Sequence, residues 1–137
     1  MLTQVAEAAE PCIPLDRVVA YAVSGGTAVL SVLAGASQSP TPGLVPEAYY
    51  LLASAFAADT AGNAAADAMS VLRALAWLDK EKVDIVNMSF SGPRNDEIEA
   101  AIAAMAAKGV IFVAAAGNRG PDGNASYPAA DEEVIAV

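Results

Sequence analysis

The sequence predicts an α/β fold in three layers, a mostly parallel sheet with helices on both faces. Two observations carry that expectation. From Arg17 onward, short β-branched runs alternate with segments of helical character, the order that builds parallel sheets. The strand-like runs are apolar at nearly every position rather than at alternate ones, as a sheet covered on both faces requires. Ligand sites in such sheets lie at the carboxyl ends of strands. The loops after Val23, Met88 and Ala116 are therefore the places to look for chemistry.

Taken in order, residues 1–15 are weakly patterned, and Pro11 and Pro14 discourage a continuing helix. Residues 1–16 are expected to form a weakly ordered segment, and 17–137 the domain. RVVAYAV (17–23) reads as a strand and TAVLSVLAG (27–35) as a short apolar helix stopped by Gly35. After the loop 36–43, AYYLLASAF (48–56) is a strand candidate and Asp59 to Asn63 a turn. Residues 64–82 read as a helix, with Met69, Leu72, Leu75, Ala76 and Leu78 on an apolar stripe and Asp67, Arg73, Asp79 and Lys80 facing water. VDIVNMS (83–89) is a buried strand. Residues 95–109 form a helix that Asn95 can cap, with Asp96, Glu97 and Glu99 at the positive end of its dipole and Gly109 at its stop. VIFVAAA (110–116) is the next strand, and VIAV (134–137) begins another.

Composition narrows the function. The 137 residues fit one domain, long enough to bury about two-thirds of the surface of its unfolded chain. A net charge of −9 argues against nucleic acid as a partner. With no His, this chain alone assembles neither a Ser-His-Asp triad nor a His-ligated metal. The lone Cys12 excludes an internal disulfide and a thiolate zinc cluster, and leaves the compartment undecided. The apolar run from Ala100 to Gly117 has the length of a membrane span. Lys108-Gly109 cuts it into helix, turn and strand, so no membrane is implied. No basic, then apolar, leader opens the chain, so no signal peptide is expected.

The loop GNRGPDGN (117–124) could cradle phosphate if a helix followed at once. Pro128 opposes that, and a nucleotide-binding protein stands as a third and weaker reading. Asp122 and Asn124 could offer oxygens to calcium, but the spaced carboxylates of a dedicated site are missing, and a solvated turn is the plainer account. No other cofactor is expected. Asn118 sits at the tip of a strand, where a side-chain amide can serve as an oxyanion donor or simply as a turn former.

The run VDIVNMSFSGPRNDEIEAAIAAMAAKGVIFVAAAGNRGP, followed by YPAADEEVIAV, resembles the middle of a subtilisin-family serine peptidase domain. Upstream, GGTAVLSVLAG is similar to that family's segment around its catalytic His, and GLVPEAYYLLASAF to the strand after it. The resemblance covers residues 17–137 and implies a subtilisin-like, incomplete fold. It implies that Asn118 is the oxyanion-hole Asn. It further implies that Ser89, Phe90, Ser91 and Gly92 form the edge to which an extended peptide adds as a strand, and that Ala115, Ala116 and Gly117 wall the specificity pocket.

Three departures qualify that resemblance. Gly25 stands where the family has its His, Asp16 does not fit the family's catalytic Asp, and no Gly-Thr-Ser nucleophile motif occurs. A hydroxyl without a base is a weak nucleophile, so no peptide turnover is expected from this chain alone. Whether it counts as an enzyme is left open. It reads as a serine endopeptidase domain without its triad, or alternatively as a non-catalytic peptide-binding or assembly module. The family's Asp-bearing strand lies centrally in the sheet and has no recognisable copy here. That omission predicts two unpaired edges, with association as a homo-oligomer or with a complementary fragment. A monomer in which 17–23 or 83–89 re-pairs to close the gap is the competing outcome.

Overall fold

A computed structural model describes residues 3–5, 18–21, 26–58, 64–118, 120 and 123–137. Eleven elements follow one another along them: β1 (Thr3–Val5), β2 (Val18–Tyr21), α1 (Gly26–Ala34), β3 (Tyr50–Ala53), β4 (Ala57–Ala58), β5 (Ala64–Ala65), α2 (Ala68–Lys80), β6 (Ile85–Met88), α3 (Asp96–Ala106), β7 (Ile111–Ala114) and β8 (Val134–Ala136). The main sheet has the order β1-β3-β2-β6-β7-β8. All its pairings are parallel except that of β1 with β3. α1 lies against β2, α2 and α3 pack on each other, and α3 also meets β7. Helices flanking a mostly parallel sheet give the expected three-layer arrangement.

The sheet corrects the expected gap. β2 pairs with β3 on one side (Val18 opposite Tyr50) and with β6 on the other (Val18 opposite Ile85). The run Val18–Tyr21 thus lies inside the sheet, and the two unpaired inner edges do not arise. The outer edges are β1 and β8. β1 falls in a stretch whose composition announces no element.

Two further expectations change at α2. The helix starts at Ala68, not Ala64, because the Asp67 carboxylate caps it by accepting the Ser70 N–H at 2.7 Å. Ala64–Ala65 instead pairs antiparallel with Ala57–Ala58, and the turn expected at 59–63 lies outside the described residues. The buried face is Val71, Ala74, Leu75 and Leu78. Met69 is 55% exposed, and Ala76 is exposed as well. The true stripe follows the 3.6-residue period from Val71. In α3, Asn95 accepts the Ile98 N–H at 2.9 Å, and Gly109, at φ 96°, ends the turn beyond it. The apolar run 100–117 divides between α3 and β7, and among the described residues no helix is long and apolar enough to cross a membrane.

The core is the seam between sheet and helices. Leu78, Val86, Met88, Ile102 and Ala114 are fully buried, with Leu75 and Phe112 almost so. Near α1, Gly43 N–H donates to the Gly35 carbonyl at 2.8 Å, and Leu44 and Val45 N–H donate to the Val32 and Leu33 carbonyls. The loop thereby lies on the last turn of the helix. A Cβ on Gly43 would stand 2.5 Å from the Leu33 carbonyl oxygen, a backbone atom that cannot swing away. Gly43→Ala is expected to lower unfolding free energy by about 1–3 kcal/mol, the usual cost of overpacking, measured by urea denaturation against the parent chain.

Candidate functional site

The pairing of β6 with β7 builds the site. Met88 lies opposite Ala114, and the Ala115 N–H donates to the Met88 carbonyl at 3.3 Å. The strands are parallel, so their carboxyl ends finish together, and the segment Ser89–Gly92 emerges beside Ala115–Asn118. Asn118 is exposed at the bend after β7. Gly117 needs its glycine: φ is 99°, and a Cβ would meet the Ser126 hydroxyl at 3.0 Å. The Ala116 backbone is held from both sides, its N–H donating to the Val137 carbonyl at 2.8 Å and its carbonyl accepting the Ser126 N–H at 3.0 Å.

On the other loop, Asn87 Nδ2 donates to Ser89 Oγ at 2.8 Å, and Gly92 N–H donates to the Tyr127 carbonyl at 2.8 Å in an isolated antiparallel bridge. Ser89, Ser91 and Gly92 are exposed, while Phe90 is half-buried with its ring 5.1 Å from that of Phe56, edge to face. Beside this edge opens a cavity of about 320 Å³. Phe56, Val71, Phe90, Ile98 and Ile102 supply its apolar lining, and Arg94, Glu99 and Tyr127 its polar side.

The polar side is organised around Arg94. Its Nε and Nη2 donate to Glu99 Oε1 and Oε2, each at 2.8 Å, Asp96 lies 3.6 Å away, and the guanidinium carbon is 5.8 Å from the centre of the Tyr127 ring. Hydrogen bonds from Arg94, and then its charge, hold the Glu99 carboxyl below the usual range. The Ser70 N–H does the same for Asp67, which also lines the cavity.

Of the residues the resemblance singles out, Ser89–Gly92 follow β6 directly and Ala115–Asn118 follow β7. Gly25 lies outside the described residues, as do Cys12, Asp16 and Asp122. Among the described residues no group of three or more His, Cys, Asp or Glu is placed to hold a metal ion. The cavity and its Arg94–Glu99–Tyr127 side were not foreseen. The Tyr127-Pro128 dipeptide, whose peptide bond is cis, was the one local signal of special geometry near it.

Residues 23–137 match the profile of the Peptidase_S8 subtilase family. The chain belongs to the subtilase family. The major intracellular serine protease of Bacillus subtilis (strain 168) is 32% identical over 128 residues, covering 89% of this chain and 39% of that protein. Subtilisin DY of Bacillus licheniformis is 35% identical over 72 residues, covering 50% of this chain and 26% of that protein. Among solved structures, the prenylagaramide maturation protease PagA superposes with a TM-score of 0.75 at 23% identity, over 90% of this chain and 53% of that one. The self-cleaved protease domain of PatA gives 0.76 at 22% identity, over 88% and 56%. This subtilase chain thus spans well under two-thirds of the length of those relatives, and the structural likenesses speak to its fold alone.

The depressed carboxyl of Glu99 makes a pH prediction. A group whose folded pKa lies below its unfolded value stabilises the fold above the unfolded value, about 4.3 for Glu, and loses that contribution as pH falls through the folded one. Thermal midpoints of the parent and of Glu99→Gln should therefore differ most above about pH 5 and converge in more acid solution. A constant offset between them would contradict the pairing.

Proposed function

We propose that this subtilase chain binds extended peptides along Ser89–Gly92 without hydrolysing them unaided. The observation that carries the reading is the juxtaposition of that edge with Ala115–Asn118, the apolar cavity lying alongside. A peptide adding as a strand would draw on the main-chain groups of Ser89 and Ser91. Among the described residues, the hydrogen bonds outside regular elements include none from the main chain of Ser89 or Ser91. Ala115, Ala116 and Gly117 would border the next side chain of the peptide. Asn118, exposed at the strand tip, would donate to a carbonyl oxygen as charge develops on it.

Hydrolysis itself needs a nucleophile and a base. The chain contains no His, Gly25 takes that place in the resemblance, and the resemblance assigns no residue of this sequence to the other two roles. An unassisted oxyanion donor leaves only a small part of a peptidase's rate. The second reading, a module that binds peptide and never catalyses, rests on the same edge. A complementary segment supplying the missing groups would favour the split enzyme. The outer edge of β8, where Ile135 and Val137 are exposed, is where such a segment or a second copy would add as a strand.

Fluorescence polarisation with labelled extended hexapeptides tests the reading. Saturable binding with intact peptide recovered is the expected result. Ser91→Pro, which deletes one main-chain donor at the edge, should weaken binding about tenfold while the thermal midpoint stays close to the parent's. Casein digestion by the purified chain, or binding indifferent to Ser91→Pro, would contradict it.

A further inference from the structure

β6 carries one residue that its surroundings do not ask for. Asparagine is depleted in strands, yet Asn87 stands inside the sheet, between the buried Val86 and Met88 and opposite Ala20 on β2 and Val113 on β7. A half-buried amide is costly without a partner, and its partner is the hydroxyl two residues on: Asn87 Nδ2 donates to Ser89 Oγ at 2.8 Å. We propose that Asn87 is a positioning residue and the Ser89 side chain a further binding group. The amide holds the hydroxyl as an acceptor, and the hydroxyl's own proton is left to donate to a main-chain carbonyl of a bound peptide. This rests on the peptide-binding reading above and adds a side-chain contact to its main-chain ones.

The direction of that hydrogen bond decides the chemistry. A serine hydroxyl has one proton and two lone pairs, and its proton rotates to suit its neighbours. With one lone pair taken by the Asn87 N–H, the proton points away from the amide. Ser89 is exposed, so that proton faces water until a carbonyl arrives. An acceptor at position 87 would instead draw the proton inward and leave the hydroxyl with lone pairs alone, which a peptide carbonyl cannot use.

Placement brings the hydroxyl to the edge. Side chains two apart on a strand share a face, and the Asn87–Ser89 contact carries that alternation past the end of β6 at Met88. On the loop after β6, the lining of the apolar cavity starts at Phe90, so Ser89 is separate from it. Continuing the register in which Met88 faces Ala114 sets Ser89 beside Ala115, whose N–H donates to the Met88 carbonyl at 3.3 Å. The hydroxyl thus stands at the first residue of the edge, where the two loops come out together. Pairing of β6 with β2 and β7 fixes the Asn87 main chain on both sides. That support makes the hydroxyl a preorganised donor, which lowers the ordering cost of binding. A bond that served folding alone would predict the reverse pattern: lower stability in Ser89→Ala and unchanged peptide affinity.

The test uses an uncharged, labelled hexapeptide and a set in which each amide is replaced in turn by an ester, whose carbonyl is the weaker acceptor. Affinities come from fluorescence polarisation. Ser89→Ala should weaken the all-amide peptide about fivefold, the order of one lost hydrogen bond. That loss should shrink at one ester position and persist at the others, the coupling that marks two groups in contact. Asn87→Asp, which offers the hydroxyl only an acceptor, should weaken binding by a like factor. The double variant, Asn87→Asp with Ser89→Ala, should bind no worse than either alone. Thermal melts identify folded variants, and if Asn87→Asp does not fold, the ester set with Ser89→Ala decides by itself. Parent-like affinity in Ser89→Ala, a loss equal at every ester position, or parent-like affinity in folded Asn87→Asp overturns the proposal. Failure of the parent chain to bind any peptide overturns the peptide-binding reading itself, and the parent alone reveals it.

Discussion

The parallel pairing of β6 with β7 is the constraint on which the rest depends. Its register, Ile85 opposite Ile111 through Met88 opposite Ala114, is pinned because both strands are buried at alternate positions. Val86, Met88, Phe112 and Ala114 are buried, and a slip of one residue would turn one strand's pair to the other face. The same register brings two loops out together at the carboxyl end of the sheet. The packing that stabilises the core thus also sets the spacing between the peptide edge and the Asn118 bend.

Around that fixed spacing the molecule adds adjustable chemistry. The edge is tied at one end by Asn87 to Ser89 and at the other by Gly92 to Tyr127. Glycine at 117 lets the chain turn within reach of the Ser126 side chain. An ion pair at the mouth of an apolar cavity contributes little to folding.

Much of the fold was legible because the strongest signals are local. β-branched runs marked β6 and β7, and the Asn95 cap with its acidic first turn marked α3. The start of α2 was misread because alanine favours helix, whereas in the run Ala64–Ala66 the strand pairing and the Asp67 cap override that preference. The buried stripe shifted with that start, from Met69 to Val71. The central place of β2 is a matter of which strands pair, which pattern alone does not fix. Two of the three candidate loops, those after Met88 and Ala116, were readable from strand ends, and the one after Val23 begins outside the described residues. The cavity was not, since its lining comes from separate stretches around Phe56, Val71, Phe90, Ile98 and Tyr127 that meet only after folding.

Amide hydrogen exchange, measured with and without saturating hexapeptide, tests the central claim most directly. A peptide strand added along Ser89–Ser91 must slow exchange there, with a smaller effect at 115–118, and leave the β8 amides at 134–137 unchanged. Protection confined to 134–137, or spread evenly over the chain, would place the peptide elsewhere and contradict the account.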